Sequence, residues 1–108
     1  FSCSSLANDS GVEELCREIQ SSNENRDIHG IIVQLPLPLA LQPYESKVLE
    51  LVDAAKDVDC FHPLNYGQLS LDRPHFLPAT PGGILKLLDH YGIATKGKLC
   101  VILGKSNI

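Results

Sequence analysis

The ten residues His29-Gly30-Ile31-Ile32-Val33-Gln34-Leu35-Pro36-Leu37-Pro38 decide how the chain is read. Ile31, Ile32 and Val33 form a continuous apolar run rather than an alternating one, which is the pattern of a strand covered on both faces in a parallel sheet. Pro36 and Pro38 close the run, because neither can donate to a ladder and each restricts the residue before it. Polar Gln34 therefore falls at the carboxyl end of the strand, where ligands bind in open parallel sheets. Upstream, Ser10 and Glu13 have the spacing of a capping box. Val12, Leu15, Cys16 and Ile19 then repeat with helical period, with Glu14, Arg17 and Glu18 toward water. A weak strand at Phe1 to Leu6 completes a strand, helix, strand order, a βαβ unit.

Downstream of the prolines, Pro43 is a favoured first helical position, and Tyr44, Val48, Leu51 and Val52 supply an inward face. Asp53 to Ala79 shows no convincing period. An irregular stretch that long in a compact domain usually carries function. Thr80-Pro81 opens another helix with Ile84, Leu87, Leu88 and Tyr91 on one face and Gly92 as its C-terminal cap. Leu99 to Leu103 reads as a buried-type strand ending in Gly104.

With 108 residues, 44% of them apolar, the chain has room for one domain or a piece of a larger one. Nine basic against 13 acidic residues leave a net charge of −4 and no cluster of Lys and Arg, which argues against nucleic acid and against a basic membrane-surface helix. No apolar run approaches the ~20 residues of a bilayer span, and no signal peptide is visible. The lack of any Met and the start at Phe1 inside a strand suggest a fragment. Cys3, Cys16, Cys60 and Cys100 are widely and irregularly spaced without a CxxC, which favours free thiols in a reducing compartment. Cys60, His62, His90 and Cys100 match no zinc spacing.

Several local motifs dissolve on inspection. Gly92 to Leu99 has P-loop spacing, but Leu99 stands where Ser or Thr must hold the metal, and the segment follows a helix instead of a strand. Gly104-Lys105-Ser106 lacks the glycine that a nucleophile elbow needs at position 108, which is Ile108. Tyr44 and Lys47 read as a solvated helix face. In Lys56-Asp57-Val58-Asp59-Cys60-Phe61-His62-Pro63, two carboxylates, a lysine and a histidine gather. Alternation sends Asp57 and Asp59 to the same side if the segment is extended, although the chemistry alone reads as a surface loop.

Taken together, these segments resemble the bifunctional methylenetetrahydrofolate dehydrogenase/cyclohydrolase family. The matching residues run from His29 to Pro38, then Lys56-Asp57-Val58-Asp59, then Phe61-His62-Pro63 with Asn65, Gly67 and Leu69, then Pro78 to Gly83, and finally Gly104 to Ile108. The resemblance implies an α/β fold. Residues 1–80 would be part of a parallel-sheet βαβ folate-binding catalytic domain, 81–96 a connecting helix and turn, and 97–108 the first strand of a Rossmann-type dinucleotide domain. It implies oxidation of 5,10-methylenetetrahydrofolate and hydrolysis of the methenyl product to 10-formyltetrahydrofolate. The parent would be a homodimer acting on tetrahydrofolate derivatives with NADP, or NAD, in the cytoplasm or in mitochondria. Val33, Gln34 and Leu35 would line the folate site, Gln34 assisting a catalytic lysine. Asp59 would bind the pterin ring, because a carboxylate can accept two hydrogen bonds from its donor edge. Gly104, Lys105 and Ser106 would meet the dinucleotide.

The departures are as specific. The Tyr-x3-Lys segment that carries the catalytic lysine has no counterpart in this chain, since Tyr44 and Lys47 have the wrong spacing and place. The glycine usual after the second aspartate is Cys60, a position where a Cβ is disfavoured if φ must be positive. Ala54 stands for a common Pro, Ala79 for a Cys, and Lys105 for an Arg, keeping the charge but losing the planar fork that grips phosphate. The competing reading is a non-catalytic folate- or partner-binding α/β module.

Overall fold

A computed structural model describes residues 11–104. Helix α1 spans Val12–Glu24, α2 Glu45–Leu51, α3 Pro63–Ser70 and α4 Ala79–His90, with a short 3-10 turn at Gln42–Tyr44 leading into α2. The apolar stripe of α1 behaves as its period requires: Ile19 is buried, and Val12, Leu15 and Cys16 pack against the cluster of Ile19, Leu37, Val48 and Val52. Gly11 caps α1 without a side-chain bond, while Glu13 and Glu14 in the first turn complement the helix dipole. The capping box expected at Ser10, like the strand expected at Phe1 to Leu6, falls outside the described residues.

The central segment departs from the sequence reading. Ile31, Val33, Leu35 and Leu37 turn toward the core, whereas Ile32 and Gln34 are exposed. Among the described residues the segment is therefore covered on one face, and no strand ladder forms. Among the described residues its pairing is a parallel bridge between Ile31 and Asp57, with the Ile31 N–H donating to the Lys56 carbonyl at 2.7 Å. Gly30 makes this approach possible, since a Cβ there would lie 2.7 Å from Val58 Cγ1.

Lys56 fastens the bridge to α1. Its Nζ donates to the carbonyls of Ser22 at 3.0 Å, Asn23 at 2.6 Å and Asn25 at 2.8 Å. These carbonyls lie at the C-terminal end of α1, where acceptors are left open and the dipole favours a cation. Asn23 ties the same end to the end of α2, donating to the Leu51 carbonyl at 2.8 Å and accepting from the Asp53 N–H at 2.9 Å.

In the second half, α3 occupies part of the stretch that showed no period. It escapes the period test because its buried residue is polar Asn65 while Leu64 is exposed. In α2, Val48 and Val52 are buried as expected, but Tyr44 precedes the helix and points outward. Helix α4 starts at Ala79 with Pro78 as N-cap, two residues before the cap expected at Thr80, and ends before Gly92 in the left-handed region at φ 66°. Ile84, Leu87 and Tyr91, expected inward, are exposed because no described element covers them. Leu99 to Leu103 likewise forms no strand among the described residues and is exposed, its backbone lacking a partner to pair with. The radius of gyration of 16.3 Å exceeds the about 13 Å of a compact domain of this length.

Replacing Lys56 by Met keeps the packing of the stem and removes the three bonds to α1. The expected loss is about 1.5–3 kcal/mol, the scale of hydrogen bonds to a charged group, read from the shift of the urea unfolding midpoint.

Candidate functional site

The site is built around Asp57, 4% exposed. Its Oδ1 accepts from the Phe61 N–H at 3.2 Å, and its Oδ2 accepts from the His62 N–H at 2.9 Å and from Asn65 Nδ2 at 2.9 Å. Asn65 Nδ2 also donates to the Ala54 carbonyl at 2.8 Å. A buried carboxylate demands such donors, because a charge taken from water without them is costly. The same bonds set up α3: His62 is its N-cap, accepting from the Leu64 N–H at Nδ1, and Pro63 takes the first turn.

Asp59 differs from its neighbour. It is half-buried, and no described residue donates a hydrogen bond to its carboxylate. Partial burial, and then the negative charge of Asp57, push its carboxyl above the ordinary aspartate range. The two aspartates do not share a side as an extended segment would place them. The chain turns between them, with the Cys60 N–H reaching the Asp57 carbonyl at 3.4 Å, so Asp57 goes inward and Asp59 stays accessible. Cys60, 1% exposed, adopts φ 63°, the left-handed conformation that suits glycine. Burial also pushes its thiol up.

Gln34 is exposed, and its Nε2 donates to the Leu35 carbonyl at 2.9 Å. Val33 and Leu35 pack against the core, so Gln34 is the side chain of the three that faces outward. The bridge between Ile31 and Asp57 is parallel. The two segments run through it in the same direction, Gln34 following three residues after Ile31 and Asp59 two residues after Asp57, within the turn. Tyr44 and Lys47 are exposed and remain a solvated face. Gly104 has φ 152° and nothing within 4 Å of a Cβ position, while Lys105 and Ser106 fall outside the described residues. Among the four cysteines, Cys16, Cys60 and Cys100 are free, and Cys3 is not described. No described helix is long and apolar enough to cross a membrane.

Sequence reasoning missed the structural work of Lys56, Asp57 and Asn65. The signal for α3 was present in His62-Pro63, a cap and first-turn pair like Thr80-Pro81. Nothing in the spacing marks Asn65 as the partner of Asp57, which is a contact across eight positions.

Residues 1–59 match the family described as tetrahydrofolate dehydrogenase/cyclohydrolase, catalytic domain. The chain is 52% identical over 96 residues to the bifunctional protein FolD of Phocaeicola vulgatus, covering 89% of this chain and 32% of that protein. Its structure resembles the bifunctional enzyme FolD of Campylobacter jejuni with a TM-score of 0.86 at 44% identity, over 94% of this chain and 36% of that one. It also resembles the Trypanosoma brucei methylenetetrahydrofolate dehydrogenase-cyclohydrolase, solved with NADP and an inhibitor, with a TM-score of 0.78 at 35% identity, over 84% of this chain and 31% of that one. The chain spans about a third of the length of the curated relatives it matches.

Two measurements check the loop. Because its folded-state carboxyl is raised, Asp59 lowers stability as pH climbs through that value. Asp59→Asn is therefore expected to raise Tm at neutral pH, the gain vanishing once the medium is acid enough to protonate aspartate in the unfolded chain too. At position 60, Gly relieves the left-handed strain while Ala keeps it, and both lose the buried sulfur. Cys60→Gly is expected to be more stable than Cys60→Ala by about 1 kcal/mol in urea unfolding.

Proposed function

Since the chain belongs to the tetrahydrofolate dehydrogenase/cyclohydrolase family, we propose that it supplies the folate-facing loops of an enzyme that oxidises 5,10-methylenetetrahydrofolate and hydrolyses the methenyl product to 10-formyltetrahydrofolate. The observation that supports this reading is the parallel bridge between Ile31 and Asp57, which joins the segment that carries exposed Gln34 to the loop that carries Asp59. In this reading residues 1–80 belong to the catalytic domain, 81–96 connect, and 97–108 begin a Rossmann-type domain. The exposed faces of α4 and of Leu99 to Leu103 then await the remainder of a longer α/β protein. The family's parallel sheet and its homodimer belong to that whole.

The chemistry follows from what each group has to spare. Among the described residues none donates a hydrogen bond to the Asp59 carboxylate, so the donor edge of a pterin satisfies it and offsets the burial that raises its carboxyl. Gln34, exposed with its amide oxygen uncommitted, can accept from a catalytic lysine supplied outside this chain and hold that ammonium toward the one-carbon unit. Val33 and Leu35 set the direction of Gln34 by anchoring the backbone on either side of it. For the cofactor, NADP with NAD as the alternative, Gly104 would fit: at φ 152° it carries no side chain to hold off a phosphate-bearing group. Lys105 and Ser106 follow it in sequence as the residues to reach that group. The nicotinamide, when bound, accepts the hydride.

In the full-length protein, Asp59→Ala is expected to weaken folate binding by about 2–5 kcal/mol, the scale for stranding the partners of a buried charged hydrogen bond. Gln34→Ala is expected mainly to depress turnover. Folate titrations and initial rates separate the two, and unchanged folate affinity in Asp59→Ala removes the pterin assignment. Folate binding by the intact protein with no turnover of methylenetetrahydrofolate would favour the non-catalytic module instead.

A further inference from the structure

Asn65 is buried to 3% exposure on α3, and nothing in the proposed chemistry uses it. Its amide nitrogen bridges the Ala54 carbonyl at 2.8 Å and Asp57 Oδ2 at 2.9 Å, closing the turn that leads into the Asp59 loop. The Asp57 carboxylate so held also grips the Phe61 and His62 amides, immediately beyond Asp59 and Cys60. The loop is therefore fixed on both sides by a single side chain, which Asn65 orients. Between those points Cys60 sits at φ 63°, a conformation an L-residue leaves when its surroundings allow.

We propose that Asn65 is a positioning residue for Asp59, acting through Asp57: it keeps the carboxylate of Asp57 turned to the loop amides, and so keeps Asp59 presented to the folate. Without the amide, Asp57 loses one of three donors and is free to rotate, the Phe61 and His62 amides lose their anchor, and Cys60 relaxes out of the left-handed region, carrying Asp59 with it. The inference rests on the assignment of Asp59 to the pterin.

The test is a double-mutant cycle in the full-length protein with Asn65→Ala and Asp59→Ala, reading KM for methylenetetrahydrofolate, kcat, KM for the dinucleotide and Tm. Asn65→Ala is expected to raise the folate KM about tenfold, within the range for coupled members of one network, while kcat and the dinucleotide KM hold. In the Asp59→Ala background the same substitution is expected to leave the folate KM unchanged. A general loss of folded protein lowers apparent kcat and does not produce this split. If Asn65→Ala fails to fold, Asn65→Ser, which keeps a donor toward Asp57, takes its place in the cycle with the same expected pattern and a smaller rise. Full additivity, or an unaltered folate KM in the Asn65 variant, overturns the positioning role while leaving the Asp59 assignment standing. An unaltered folate KM in Asp59→Ala alone overturns that assignment instead.

Discussion

The buried carboxylate of Asp57 takes the amides of Phe61 and His62 and the side chain of Asn65, and three parts of the molecule meet through it. Its backbone pairs with Ile31, the residue before it is tethered to the end of α1, and the residues after it open α3. A charge in that position is stable only while its donors stay in place, so the geometry of the loop and the solvation of Asp57 are one constraint. Asp59 inherits its accessibility from this arrangement. The chain turns sharply because Asp57 is pulled inward, and the next carboxylate is left outside.

Neighbouring groups of like kind are thus driven to opposite tasks by their surroundings. Asp57 holds three donors and serves the fold; Asp59 has none among the described residues and carries a raised carboxyl. Cys60 adds to the tension of the loop, holding a left-handed conformation with its side chain packed inside. Such local costs are common where a fold keeps a group ready for a ligand, and they are offset by the packing of the rest of the molecule.

Periodicity made α1 and the inward positions of α2 legible, because the residues that pack on the core, Val12, Leu15, Cys16 and Ile19 in one and Val48 and Leu51 in the other, are apolar and recur at helical spacing. It failed for α3, whose buried residue is an asparagine chosen for its amide rather than for hydrophobicity. It also failed for Ile32, Ile84 and Leu99 to Leu103, whose apolar character implies cover that no described element provides. At the site, Gln34 and Asp59 stood out through the end of an apolar run and a motif of paired carboxylates, and the suspicion about Cys60 rested on a glycine position that the structure shows at positive φ. The role of Asp57 was hidden because sequence gives the residue and not its donors, and an alternating extended reading placed it beside Asp59 on one face.

Amide hydrogen exchange at Phe61 and His62 reads the grip of the Asp57 carboxylate itself, since these two N–H groups donate to it. Both are expected to exchange slowly, with protection comparable to the interior of α1 and lost in Asp57→Ala. Exchange of both amides at the rate of an open loop in the unsubstituted protein would contradict that grip.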